Sequence, residues 1–103
     1  MDEVYTTGTW TPAAGKEQAF VEAWSQFAAW ASERAGAGRL RLAKDAHNGR
    51  YVSFGNWAGI DAVRAWKSAP EFRDRLARVL QHVDAFEPAE LAVVAAFEDG
   101  HMS

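Results

Sequence analysis

The sequence predicts an α+β fold: a four-stranded antiparallel sheet with helices on one face, in the ferredoxin-like order β-α-β-β-α-β. Three observations predict it. Apolar residues recur at three- and four-residue spacing in two long segments, as on the buried stripe of a helix. β-branched and aromatic residues alternate in shorter segments bounded by Gly and Pro, as in strands. Between two of these, Asn48-Gly49 tolerates the positive φ of a tight turn, so they form a hairpin.

Taken in order, residues 4–11 (Val4, Tyr5, Thr6, Thr7, Thr9, Trp10) read as the first strand, which Pro12 and Gly15 end. A helix over about 16–35 follows, with Phe20, Ala23, Trp24, Phe27 and Ala31 on its apolar stripe and Gly36 and Gly38 as its stop. Residues 39–43 and 50–57 are the two arms of the hairpin. A short helix spans 60–67. Ser68 and Glu71 have the form of a capping box, with Pro70 in the first turn, opening a second long helix. Phe72, Leu76, Val79, Val83 and Phe86 form its stripe, to about Ala85, and Pro88 breaks it. Residues 91–98, apolar on both faces, are a last strand. Helices on one side leave the opposite sheet face bare, carrying Val4, Trp10 or their neighbours. Such a face is expected to close by homodimerisation.

The totals bound the function. A chain of 103 residues is one domain, over 1–103. It has no cysteine, so thiolate nucleophiles, zinc-thiolate sites and iron–sulfur clusters are excluded. Met1-Asp2-Glu3 is acidic without an apolar core, unlike a signal peptide, and no apolar run is long enough to span a bilayer. A cytoplasmic protein without a membrane partner is the expectation. The net charge of −3 argues against nucleic acid as a partner. Between Arg34 and Arg78, ten basic residues face four acidic ones, either as solvated faces or as a rim for an anionic ligand. Five Trp and six Phe exceed what a small core needs, so some of these rings are expected to line a cavity.

The segments Tyr51-Val-Ser-Phe-Gly-Asn-Trp57, Asp61-Ala-Val-Arg-Ala-Trp66 and Ser68-Ala-Pro-Glu-Phe72 resemble the core of antibiotic-biosynthesis-monooxygenase domains, in the dimeric α+β barrel superfamily. The resemblance covers nearly the whole chain in element order. It implies a homodimer with a pocket between sheet and helices. It also implies an oxygenase that needs no cofactor and oxidises a polycyclic or quinol-type aromatic with O₂, the substrate anion supplying the electrons. A haem-degrading branch shares the Trp at Trp66 but requires a His ten residues later and an Asn on the first strand. Leu76 and Thr7 stand there instead, which argues against haem.

The candidate site follows. Trp66 is either an anchor for the short helix or a pocket wall whose indole donates to a substrate oxygen. Asn56 is either a turn residue or a second polar anchor at the reacting oxygen. Thr7, Tyr51, Trp24, Phe27, Phe72, Leu76 and His82 are candidate contacts for a small hydrophobic aromatic ligand. His82 is the one histidine placed to act as a base, since His47 lies in the hairpin loop and His101 in the tail. No pair of histidines has metal-ligand spacing. Rival readings are a non-catalytic metabolite-binding dimer, an atypical haem-binding relative, and a purely structural dimer.

Overall fold

Strand β1 (Val4–Pro12) is the axis of the sheet, with a partner on each side. The structure, a computed structural model, describes residues 3–98 and 101–102. Its elements run β1, α1 (Glu17–Ser32), β2 (Ala37–Lys44), β3 (Tyr51–Trp57), α2 (Ile60–Lys67), α3 (Phe72–Leu80) and β4 (Val83–Ala92). A separate small hairpin, β5 (Phe97–Glu98) with β6 (His101–Met102), follows. The main sheet has the order β2-β3-β1-β4 and every neighbouring pair is antiparallel. This is the predicted ferredoxin-like arrangement, with the short helix expected over 60–67 present as α2. The smallest extent of the Cα trace is 18 Å, which accommodates one sheet and one helix layer.

Alternation decides what each strand gives to the core. Val4 and Trp10 of β1 and Tyr51 and Trp57 of β3 are buried beneath the helices, together with Phe20, Phe27, Trp30, Ala31, Val63, Trp66 and Val79. The expectation that Val4 and Trp10 lie on the bare face is corrected. Trp10 is 2% exposed and stacks on Phe86 at 4.0 Å between ring centroids. A strand pattern identifies two faces but not which of them meets the helices; a one-residue shift exchanges them. The bare face exists with other occupants, among them Phe54 (39% exposed) and Leu91 (50%).

Helix α1 stops at Ser32, three residues earlier than expected. The turn after it is fixed by Gly36, whose φ is +83° and where a Cβ would stand 2.6 Å from the Cβ of Ala62. Any side chain there is strained by both backbone and neighbour.

The larger correction concerns α3 and β4. The expected long helix ends at Leu80, and Val83 and Phe86 belong to β4. Their spacing from Val79 fits a helix, but Phe86 reaches Trp10 by pairing beside it on β1. A strand here also covers backbone groups of β1 that would otherwise lie unpaired. Pro88, taken as a helix breaker, is a strand residue opposite Gly8. β4 is an edge strand, where a missing N–H is tolerated. The strand expected over 91–98 is present only as the end of β4 and the short β5. Ser68 is not an N-cap. It is the C-cap of α2, while Glu71 occupies the N-cap position of α3, and neither makes a side-chain capping bond.

Phe20 is fully buried and touches Trp10 and Tyr51, with ring centroids 5.4 and 5.3 Å away. Phe20→Ala is expected to cost about 3–5 kcal/mol. Urea unfolding followed by tryptophan fluorescence measures this, and a loss below about 1 kcal/mol would show that α1 is not anchored as described.

Candidate functional site

A cavity of about 180 Å³, partly open to solvent, lies between the sheet and the helices. β1 and β3 form its floor through Thr6, Thr7, Gly8, Trp10, Ser53, Phe54 and Gly55; β2 contributes Leu40 and β4 contributes Phe86 and Pro88. Its roof is Trp24, Phe27, Ala28 and Ala31 of α1, Trp66 and Lys67 of α2, and Phe72 and Leu76 of α3. A cavity of about 150 Å³ with apolar walls is known to stay dry and hold a benzene ring. This one therefore has room for one aromatic ring, with its open side free for a larger molecule to project.

The space depends on glycines within the strands. At Gly8 a Cβ would meet Phe86 at 2.8 Å and the Ser53 hydroxyl at 2.9 Å. At Gly55 it would collide with the Leu40 side chain and approach the Arg39 carbonyl to 3.2 Å. Both positions lie where alternation points toward the helices, and their lack of a side chain lets Phe86, Ser53 and Leu40 close over the floor.

Most polar groups around the cavity satisfy one another. Trp10 Nε1 donates to Ser53 Oγ at 2.9 Å, and Trp57 Nε1 donates to Thr6 Oγ1 at 3.0 Å. Trp66 differs. Its ring is stacked on Trp57 (centroids 4.7 Å apart, 24° between planes) and meets Phe72 edge-on at 5.1 Å. Its Nε1 is buried with no hydrogen-bond partner. A buried unpaired donor costs about 1–3 kcal/mol.

The structure brings Trp66, Thr7, Trp24, Phe27, Phe72 and Leu76 to the cavity wall. Thr7 lies between Thr6 and Gly8, and alternation turns its side chain to the opposite face, so it contributes chiefly backbone. Asn56, Tyr51 and His82 are not on the wall. Asn56 accepts from the Arg39 backbone N–H at 2.8 Å and donates to Glu3 Oε2 at 3.1 Å, bracing the irregular pairing of β2 with β3. Tyr51 is buried edge-on against Phe20. His82 lies in the link from α3 to β4, its carbonyl accepting from Ala13 at 2.9 Å and its Nδ1 buried without a partner.

Gly8, Gly55, Ser53 and Lys67 were not singled out from the sequence, and Trp10 was named for the opposite face. Glycine inside a strand pattern is a signal for close backbone approach and would have marked the first two. Among the described residues no group of three or more His, Cys, Asp or Glu is placed to hold a metal ion. No helix among them is long and apolar enough to cross a membrane.

The sequence pattern of a family described as "Antibiotic biosynthesis monooxygenase" matches residues 4–78. Among solved structures, the chain is similar to SnoaB, a cofactor-independent oxygenase from Streptomyces nogalater. The superposition has a TM-score of 0.87 for a variant and 0.85 for another structure of that protein, with 19% identity, and covers 96% of this chain and 100% of that one. It is also similar to Rv0793 from Mycobacterium tuberculosis, with a TM-score of 0.80, 15% identity, and coverage of 93% and 99%. At these identities the likeness establishes the fold. No curated protein sequence matches the chain.

Gly8→Ala tests the floor. The added methyl has no free space, so the expected loss is about 1–3 kcal/mol from overpacking. Urea unfolding should show a lower midpoint with an unchanged slope. An unchanged midpoint would mean that the floor yields and that the cavity is not set by this glycine.

Proposed function

The chain belongs to the antibiotic biosynthesis monooxygenase family, and from that premise we infer that it is a cofactor-independent oxygenase acting on a quinol-type or polycyclic aromatic. The support for this reading is a cavity walled by aromatic rings, among them Trp66, whose buried indole N–H has no hydrogen-bond partner. Apolar walls with one free donor suit a flat ring that bears an oxygen. Trp24, Phe27, Phe72 and Leu76 hold the ring by burial, at about 25 cal/mol per Å² of apolar surface removed from water. The Trp66 N–H holds a ring oxygen, and it stabilises that oxygen more strongly as negative charge gathers there.

The reaction then balances without a bound group. An activated ring methylene and O₂ give a ring carbonyl and water. The methylene carbon loses both hydrogens to the water and takes one oxygen atom. The electrons come from the substrate anion, formed when the methylene or phenol loses a proton. Exclusion of water from the cavity strengthens the Trp66 hydrogen bond and protects the intermediate from side reactions. With room for one ring, a polycyclic substrate places its reacting ring inside and its remaining rings at the mouth. The alternative of a non-catalytic binding dimer predicts binding of the same ligands without oxygen uptake.

An oxygen electrode with a panel of hydroquinones and anthrones is the test, with Trp66→Phe beside the wild type. The expected outcome is enzyme-dependent oxygen uptake that falls about tenfold in the variant, the equivalent of one lost hydrogen bond. The same variant is expected to keep its stability within about 1.5 kcal/mol, because it preserves most of the apolar volume. Equal rates for the two proteins would return Trp66 to a packing role. Binding without uptake would establish the non-catalytic reading.

A homodimer is part of the proposal, with the bare sheet faces of two copies packed together. Phe54 and Leu91 are its exposed apolar contacts. Light scattering is expected to give twice the 11.4 kDa chain mass, and Phe54→Asp with Leu91→Asp to give the monomer. A monomeric wild type at micromolar concentration would remove the dimer from the proposal.

A further inference from the structure

Lys67 is the only charged side chain among the described residues that line the cavity. It follows Trp66 on α2, so two consecutive residues of this helix line the cavity. Its Nζ is 2.6 Å from Glu90 Oε2 of β4, which ties the helix to the edge strand. The two side chains are 32% and 40% exposed, so solvent screens the pair and its direct contribution to stability is small. An ammonium has three N–H donors, and Glu90 takes one. Lys67 also borders the outer groove along α3, with Arg73 and Asp74, and therefore stands between cavity and solvent. On its own helix, Arg64 is turned to Asp61, 4.0 Å away.

We propose that Lys67 is the anion-binding residue of the cavity and that it selects aromatic ligands that enter or react as phenolates. This rests on the reading that the cavity takes an aromatic ring and adds the charge of that ring. The remaining Nζ donors meet the ring oxygen at the cavity edge, beside walls of low polarity that screen the charge poorly. Glu90 holds the ammonium in place and also opposes the incoming anion, so ligand and carboxylate compete for Lys67. The ionised ligand gains an opposite charge at close range, which lowers its pKa on binding. A neutral ring gains nothing from Lys67.

The test uses 4-nitrophenol, whose phenolate is coloured, and 4-nitroanisole as its neutral counterpart, with wild type, Lys67→Met, Lys67→Arg and Glu90→Gln. In wild type the colour change of bound 4-nitrophenol is expected about one pH unit lower than in free solution. Lys67→Met is expected to weaken phenolate binding about tenfold, which is that same shift, and to leave 4-nitroanisole unchanged. Lys67→Arg should retain the preference for the phenolate, and Glu90→Gln should tighten phenolate binding. Equal phenolate affinity in wild type and Lys67→Met, or an unshifted colour change, would overturn the assignment while leaving the aromatic site intact. Failure of both probes to bind wild type would overturn the aromatic site itself, and this assignment with it.

Discussion

The stack of Trp66 on Trp57 is the contact on which the site depends. Helix α2 has eight residues, too few to be stable in isolation. Tertiary contact must hold it, and the contact is Val63, fully buried, and Trp66 lying nearly parallel to Trp57. Trp57 is itself fixed, because its indole N–H is bound to Thr6 on the neighbouring strand. Sheet, hairpin and short helix therefore meet at one point. The edge of Trp66 against Phe72, 88° between planes, carries that placement on to α3. Roof and floor of the cavity are positioned by one chain of rings, in which the Trp57 N–H has a partner and the Trp66 N–H has none.

The parts of the fold that were legible in the sequence are those where one local signal has no competitor. The bounds of α2 were readable in the sequence, where Ala58-Gly59 leads into a short helical segment. The hairpin was readable from Asn48-Gly49, where Gly49 has φ of +72°. The junction of α3 and β4 was not, because Val79, Val83 and Phe86 satisfy helical spacing in sequence whichever structure they adopt. What decides is the partner: Phe86 has the Trp10 ring to cover, and no periodicity reports a ring seventy-odd residues earlier in the chain. The same limit applies to Trp10, whose alternation defines two faces without naming the inner one.

The site was legible where the helix stripe and the cavity wall coincide. Trp24, Phe27, Phe72 and Leu76 are on the wall because an apolar stripe faces the sheet in any arrangement of this topology. Asn56 illustrates the opposite case. Next to Gly55 and Trp57, which point inward, it must point outward, and there it secures the backbone of Arg39. Residue type suggested a polar anchor for a substrate; strand parity placed it on the other side of the sheet. Lys67 was obscured in a similar way. In sequence it is one of ten basic residues in a run that reads as solvated surface, and only the fold turns this one to the edge of the cavity.

The polar accounting of the wall restricts the chemistry further than its shape does. The hydroxyls of Thr6 and Ser53 spend acceptor capacity on Trp57 and Trp10, and Ser53 also reaches the Gly8 carbonyl at 3.5 Å. Each of these hydroxyl oxygens keeps a second lone pair, whereas the Trp66 N–H has no acceptor at all. A hydrocarbon would leave Trp66 as costly as it is in the empty cavity. In the reading proposed above, any oxygen-bearing ring can accept from Trp66, and only an ionised one gains from Lys67.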